Sequence, residues 1–389
     1  MDGRAGVSGA CVVAPGMAAM NVILRWILDL VQRFVRTLDW SLCAALFALM
    51  AIALAVLYSA GGQNGMDLVV AQGARYGVGL AAMWGLSRVT PLRLRDATPL
   101  VYAATLLPLV LVLAIGTGKH GKHWIDLQLF YFQPSELLKL SLPMMAAWYL
   151  DRQLLPPRIG AVLATAVIIA VPTALVLLQP DFGTAMLVAI SGAFVLFLAG
   201  LSWWWFAVAF GGVAGAAPLA WFWLLKPYQK DRILTFLDPE SDPLGAGWNI
   251  IQSKIAIGSG GMTGQGWMQG SQSHLDYLPE HTTDFIFAVL SEEFGWIGVA
   301  TVLALYLFVV GRCLWIAAQA RDGYARLLAG SLGLAFFVYV IVNGGMISGL
   351  LPVVGVPMPL LSYGGTAAVS LLAGLGVVMS VRNHRPIHG

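Results

Sequence analysis

Residues 327–381 run for 55 positions without an Asp, Glu, Lys or Arg. An element of a water-soluble fold needs apolar residues on one face only, at every second position in a strand or every third or fourth in a helix. A charge-free run this long belongs in hydrocarbon. Five more such runs cover residues 40–66, 97–118, 159–180, 182–225 and 294–311. About 20 apolar residues cross a hydrocarbon layer of about 30 Å, so residues 40–66, 97–118, 159–180 and 294–311 each hold one helix. Residues 182–225 fold back at Gly200-Leu201-Ser202-Trp203, and 327–381 break at the Pro- and Gly-rich 352–359, so each of these holds two. Two further apolar segments carry charge inside them, 68–87 with Arg75 and 132–150 with Glu136 and Lys139. The expected fold is an all-α polytopic membrane protein of ten transmembrane helices. Composition agrees, with 59% hydrophobic and 11% charged residues against the roughly one quarter charged in soluble domains. A formal charge of +3 spread along the chain gives no nucleic-acid surface. Three cysteines, Cys11, Cys43 and Cys313, give no disulfide framework.

Arginine sets the orientation. With the N-terminus cytoplasmic, Arg4, Arg25, Arg33, Arg36, Arg88, Arg93, Arg95, Arg152, Arg158, Arg312, Arg321, Arg326, Arg382 and Arg385 lie inside, 14 of the 22 Lys and Arg residues. Arg75, Lys119, Lys122, Lys139, Lys226, Lys230, Arg232 and Lys254 lie outside or embedded, so the positive-inside rule predicts N-in and C-in. The first apolar run is longer than a signal-peptide core and is expected to stay as an uncleaved helix. Residues 20–36 place Arg25, Asp29, Arg33 and Arg36 on one face, which reads either as an interfacial amphipathic helix or as a frayed tail. Residues 226–283 form the one long loop, on the outer side. It is too rich in Trp, Ile and Pro for a linker, and an ordered lid hugging the membrane is expected. The chain thus divides into an N-terminal extension (1–39), a membrane domain (40–383) and a short cytoplasmic tail (384–389).

Ionisable groups inside a bilayer are costly and are functional candidates by default. Glu136 and Lys139, three apart on a helix, face the same way and neutralise each other, either as part of a site or as a structural ion pair. Arg75 receives no role. Asp284, in His281-Thr282-Thr283-Asp284-Phe285-Ile286-Phe287, reads as a helix N-cap or as a general base whose pKa is raised by Phe285 and Phe287. Asp181, in Gln179-Pro180-Asp181-Phe182-Gly183-Thr184, carries the same two readings. Gly258-Ser259-Gly260-Gly261 with Gly264 and Gly266 has no following Gly-Lys-Ser/Thr, so it is not a nucleotide loop; a close backbone approach to phosphate and a flexible turn are the alternatives. His120, His123, His274 and His281 show no zinc spacing.

In order along the chain, Phe132-Gln133-Pro134-Ser135-Glu136, Gln179-Pro180-Asp181-Phe182-Gly183-Thr184, Leu237-Asp238-Pro239-Glu240-Ser241-Asp242-Pro243-Leu244-Gly245-Ala246-Gly247, residues 251–261, Asp284-Phe285-Ile286-Phe287 and residues 357–365 resemble the SEDS family. The likeness covers residues 40–383 and is greater to the elongation-specific, RodA-like branch than to the division-specific one. It implies a peptidoglycan glycosyltransferase that polymerises lipid II, the undecaprenyl diphosphate-linked disaccharide peptide, in the bacterial cytoplasmic membrane with its active site facing the periplasm. It also implies a class B penicillin-binding protein and other elongation-complex membrane proteins as partners, since the chain has no Ser-x-x-Lys transpeptidase motif. Carried over residue by residue, Asp284 matches the essential acid, the base for the GlcNAc 4-hydroxyl. Trp124 matches the family's functional Trp, and Glu136 and Lys139 its intramembrane pair. His123 stands where the family usually has Arg, with Lys122 beside it retaining a cation. The diphosphate is expected to meet Lys139, Lys122, Arg232 or Lys254, or a divalent cation such as Mg or Mn; Asp181 is a supporting residue, and no other cofactor is expected. Residues 1–39 have no family counterpart, with Met17 or Met20 as alternative starts. Small residues at Gly330, Ser331, Gly333, Gly344 and Gly345 offer either a docking face for the partner's helix or packing within this chain.

Two other functions fit the same pattern. A lipid II flippase would suit ten helices with charge at depth, although no inverted repeat is evident, and a noncatalytic scaffold of the elongation complex would tolerate loss of Asp284. The long outer loop ending in an acid favours the polymerase.

Overall fold

The computed structural model describes residues 38–117, 123–126, 131–223, 225, 227–241, 246–271 and 280–384. The amphipathic segment at 20–36, Cys11, His120, Lys122 and His274 lie outside these residues. Twelve α-helices are described: α1 (Trp40–Ala60), α2 (Gly65–Ser87), α3 (Pro91–Ile115), α4 (Pro134–Asp151), α5 (Ile159–Leu178), α6 (Phe182–Leu198), α7 (Trp203–Trp223), α8 (Pro227–Leu237), α9 (Ala246–Gly260), α10 (Ile286–Ala318), α11 (Gly323–Ile347) and α12 (Thr366–Asn383). All except α8 and α9 stand on the apolar segments read from the sequence. By length and composition α1, α3, α5, α7, α10, α11 and α12 are apolar enough to cross a membrane, and α6 is apolar but shorter. Helices α2 and α4 carry Arg75 and the Glu136–Lys139 pair.

One short hairpin departs from an all-α fold. Ile125–Asp126 (β1) pairs antiparallel with Tyr131–Phe132 (β2), Ile125 opposite Phe132. The helix expected from residue 132 therefore opens at Pro134, where proline suits the first turn because its missing N–H is not needed there. The segment predicted over 294–311 is also longer. Helix α10 runs from Ile286 to Ala318 as two helical stretches that meet at a kink at Gly295; the second begins where the predicted segment does and carries Arg312 past its end, and the first holds Glu292 and Glu293. Gaps between charges underestimate a helix when its charges are partnered inside the protein: Ser59 of α1 bonds Glu293, Ser271 bonds Glu292 (3.0 Å), and Arg312 pairs with Asp39 (2.9 Å).

Local chemistry sets the helix ends. The side chains of Asp39, Thr90, Asp181 and Asp322 accept the N–H of Leu42, Arg93, Thr184 and Ala325, capping α1, α3, α6 and α11. Inside α5, Pro172 cannot bond the carbonyl of Ile168, and the Tyr102 hydroxyl of α3 donates to that carbonyl instead (2.8 Å). At the end opposite the large loop, Asp39, 1% exposed, joins Arg312 of α10 and Arg382 of α12 (3.3 Å). The small residues of α11 pack mostly within the chain: a Cβ on Gly330 would meet Leu198 and one on Gly333 would meet Cys313.

The Gly-rich run, whose residues 258–260 end α9 and whose Gly261, Gly264 and Gly266 follow it, is tied into the backbone of α10 and is not a free turn. Gly295 breaks α10 with φ 60 and ψ −160, and the run hydrogen-bonds into the break. The N–H groups of Gln265 and Gly266 donate to the carbonyls of Glu292 and Glu293, and those of Trp296 and Ile297 donate to Gly261 and Met262 (2.9–3.1 Å). The backbones approach so closely that a Cβ on Gly264 would lie 2.0 Å from the Glu293 oxygen and one on Gly295 would lie 2.3 Å from the Gly264 nitrogen. This splice, with Ser253 of α9 donating to the Ile347 carbonyl (2.9 Å), makes the described part of the 226–283 loop an ordered layer on α10 and α11. Gly295→Ala is expected to cost at least about 1–3 kcal/mol from backbone conformation alone. Its measure is thermal unfolding in detergent with limited proteolysis of the loop; unchanged melting and unchanged protection would sink the splice as a stabilising element.

Candidate active site

A cavity of about 910 Å³ opens at the end of the bundle where the large loop meets α10. Its walls come from the N-terminal parts of α4 and α6, Trp124 and its neighbours, Thr283 and Asp284, and residues 354–357 and 363–367 leading into α12. The 348–365 stretch between α11 and α12 is largely non-helical, and such backbone is tolerated at membrane depth only when protein groups satisfy it. Four helices do so. Asn343 of α11 donates to the Val356 carbonyl (2.7 Å), Tyr306 of α10 to Pro359 (2.6 Å), Tyr76 of α2 to Leu360 (2.5 Å), and Gln72 of α2 accepts from the Gly364 N–H (3.3 Å). Arg75, given no role from sequence, stacks 4.2 Å over the ring of the wall residue Tyr363 and donates to Gln72.

Five residues singled out in the sequence meet at this cavity: Trp124, Glu136, Lys139, Asp181 and Asp284, with His123 beside them. Trp124 is held by a two-way backbone bridge with Thr117 (2.9 and 3.1 Å). Glu136, 5% exposed, accepts from Lys139 at 2.6 Å through one oxygen and from Ser370 of α12 at 2.8 Å through the other. Lys139 also lies 5.0 Å from the ring centre of Tyr339 on α11. The intramembrane pair is thus shared by three helices and open to the cavity, which a pair serving helix packing alone would not need.

The two acids with the same sequence readings separate in space. Asp181 does cap its helix, with one oxygen accepting the Thr184 N–H (3.0 Å) and the other facing the Gln133 amide (3.3 Å) while it lines the cavity. Asp284 caps nothing: Phe285 occupies the N-cap of α10 and no side chain bonds there. The carboxyl of Asp284 rests against Gly355, whose φ of 71 and lack of a side chain leave room; a Cβ there would lie 3.4 Å from Oδ2. Burial, reinforced by the negative charge of Glu280, raises the Asp284 pKa to about 6.

Of the remaining cation candidates, Lys122 and the side chain of Arg232 lie outside the described structure, and Lys254 does not join this group. Lys254 is exposed on α9, lies against Gly349 and is not a cavity wall residue. Arg232 lies on α8. Tyr339, Ser370, Asn343 and Gly355 were missed from sequence. A lone Asn within a charge-free run was the available signal for Asn343, whereas Ser370, 234 positions from Glu136, gave none.

Comparison with known proteins agrees with this architecture. A family model described as the cell cycle protein family FTSW_RODA_SPOVE matches residues 34–386. The peptidoglycan glycosyltransferase MrdB of Escherichia coli K12 is 48% identical over 349 residues, covering 90% of this chain and 94% of that protein. A chain from a peptidoglycan synthase complex, described as coordinating polymerization and crosslinking, superposes with a TM-score of 0.79 at 32% identity, covering 90% of this chain and 99% of that one. The rod shape determining protein RodA of Thermus thermophilus superposes with a TM-score of 0.68 at 28% identity, covering 90% and 98%. The polar cavity, the bundle around it and these matches agree that the chain belongs to the FtsW, RodA and SpoVE family of multi-pass membrane proteins.

Proposed function

We propose that this chain is a peptidoglycan glycosyltransferase that polymerises lipid II during cell elongation. The carrying observation is that one cavity gathers a carboxylate of raised pKa, a buried ion pair with an available cation, and an aromatic side chain, as transfer of a sugar from a lipid diphosphate requires. In this reading Asp284 takes the proton from the acceptor GlcNAc 4-hydroxyl as its oxygen bonds the donor's anomeric carbon. The bond from that carbon to the diphosphate breaks in the same oxocarbenium-like passage, and the undecaprenyl diphosphate leaves with the electron pair. A base with a pKa near 6 is ionised at neutral pH yet basic enough to accept the proton. Lys139 offsets the charge growing on the leaving group, while Glu136 holds Lys139 in place. Trp124 offers an apolar face to a sugar ring. The cavity is of a size for a saccharide head group, so the polyprenyl chain lies along the lipid-facing helices.

Among the described residues no three His, Cys, Asp or Glu side chains gather as a metal site. A magnesium-like cation is commonly held by one or two carboxylates together with substrate phosphates, which Asp181 and the diphosphate would supply, and it would neutralise charge on the leaving group. The arginine asymmetry supports ten crossings with both termini cytoplasmic, the cavity on the periplasmic face of the inner membrane and the 226–283 loop outside. The division into residues 1–39, 40–383 and 384–389 belongs to the same reading. Because the chain lacks a transpeptidase motif, its strands need a crosslinking partner, a class B penicillin-binding protein. Purified chain with that partner and labelled lipid II is expected to form glycan strands. Transfer of intact lipid II across vesicles without strands would indicate a flippase, and neither outcome from folded protein would indicate a scaffold.

A further inference from the structure

Asn343 lies within α11 with no exposed surface. Its amide nitrogen stands 2.8 Å from the main-chain carbonyl of Asp284 and 2.7 Å from that of Val356. Both neighbours are carbonyl oxygens, so the nitrogen end of the side chain must face them, and its two N–H groups are both used. One side chain thereby ties the segment that carries the acid to the segment that forms the floor beneath it. The floor is the 354–357 wall, where Gly355 receives the Asp284 carboxyl. A second tie runs parallel, from the Tyr363 N–H to the Thr282 carbonyl (2.9 Å), but it fixes a residue two positions earlier.

We infer that Asn343 is a positioning residue of the transfer reaction, setting the distance and direction of the Asp284 carboxyl relative to the cavity by holding its backbone against the 354–357 wall. The inference rests on the reading of Asp284 as the base. Helix α11 is a long element packed along α10 and contributes no acid or base at this point, so it serves as a fixed reference for two irregular segments. Misplacement of a reacting group by about 1 Å costs on the order of 10²-fold in rate. Glu280, on its own segment, acts on Asp284 through its charge, and the titratable groups that share the cavity with it are Asp181, Glu136, Lys139, His123 and Tyr363 on the other walls.

The test uses Asn343→Leu, which keeps the shape and removes both donors, Asn343→Ser, which retains one donor, and Asp284→Asn in parallel. All are purified with the crosslinking partner and assayed on labelled lipid II across pH. Asn343→Leu is expected to lower kcat about 10²-fold with KM for lipid II nearly unchanged, and to move the acid limb of the pH profile from near 6 toward the ordinary Asp value as water reaches the slackened segment. Asn343→Ser is expected to fall between Leu and the native chain, and it carries the test if Leu does not fold. A Leu variant with native kcat and native acid limb overturns the inference, as does loss of kcat with the limb unmoved, which marks general loosening. If Asp284→Asn is inactive while Asn343→Leu is normal, this inference alone fails; if Asp284→Asn is active, the base reading fails first.

Discussion

Asp284→Asn is expected to abolish glycan polymerisation, by about 10²-fold or more, while leaving the protein folded and inserted. The reason is local. The carboxyl is held at the cavity wall, partly buried, with a pKa raised to about 6, and Asn cannot accept the proton. The activity of the native chain should therefore rise with pH through about 6, because the base works only when ionised. Stability should move the other way. A carboxyl whose folded pKa lies above its unfolded value of 3.8 binds more protons in the folded state between the two values. Stability is thus lost as pH rises from about 4 to 6, by about 3 kcal/mol at most for a shift of this size. Removing the charge should leave the melting temperature at neutral pH unchanged or raised. An inactive, equally stable or more stable Asn variant is the signature of a base kept at a cost to the fold. Normal strand synthesis by that variant would remove Asp284 from the chemistry.

The second large effect concerns Glu136 and Lys139. Lys139→Ala strands a carboxylate that is 5% exposed, and breaking a buried pair from one side typically costs about 3–5 kcal/mol. Loss of both stability and polymerisation is expected. The exchanged double variant, Glu136→Lys with Lys139→Glu, should recover part of the stability but none of the activity, because the surroundings are not symmetric. Ser370 donates a hydrogen bond to the carboxylate at 136, and the Tyr339 ring lies 5.0 Å from the cation at 139. An acid at 139 would face that ring and the diphosphate, both of which favour a cation. Melting temperature and strand synthesis measured together decide it: restored activity in the exchanged variant would make the pair structural only.

Much of the bundle was legible in the chain because a bilayer imposes one rule over long distances. A helix crossing hydrocarbon cannot carry unpaired charge, so the gaps between charged residues located eight helices, two apolar segments with embedded charge supplied two more, and the Arg-rich ends predicted an orientation. The same rule fell short where a charge was paired, as at Arg312, because pairing is a property of neighbours and not of the run itself. Glu136 with Lys139 stood out because two opposite charges three positions apart in an apolar helix are visible locally. By local pattern, apart from the family resemblance, Asp284 and Asp181 could not be told apart, since both precede a helix in similar polar surroundings. The tertiary structure separated them physically, one bonding the N–H of its own helix and the other turned to Gly355 from a distant segment. The Gly-rich run was likewise ambiguous, because close backbone approach and flexibility demand the same residue, and the broken helix at Gly295 decided which applied. What sequence determined here were the solvent each segment can tolerate and the charges it brings. Which side chains of different helices satisfy one another depends on contacts between residues hundreds of positions apart, and local pattern carries no record of them.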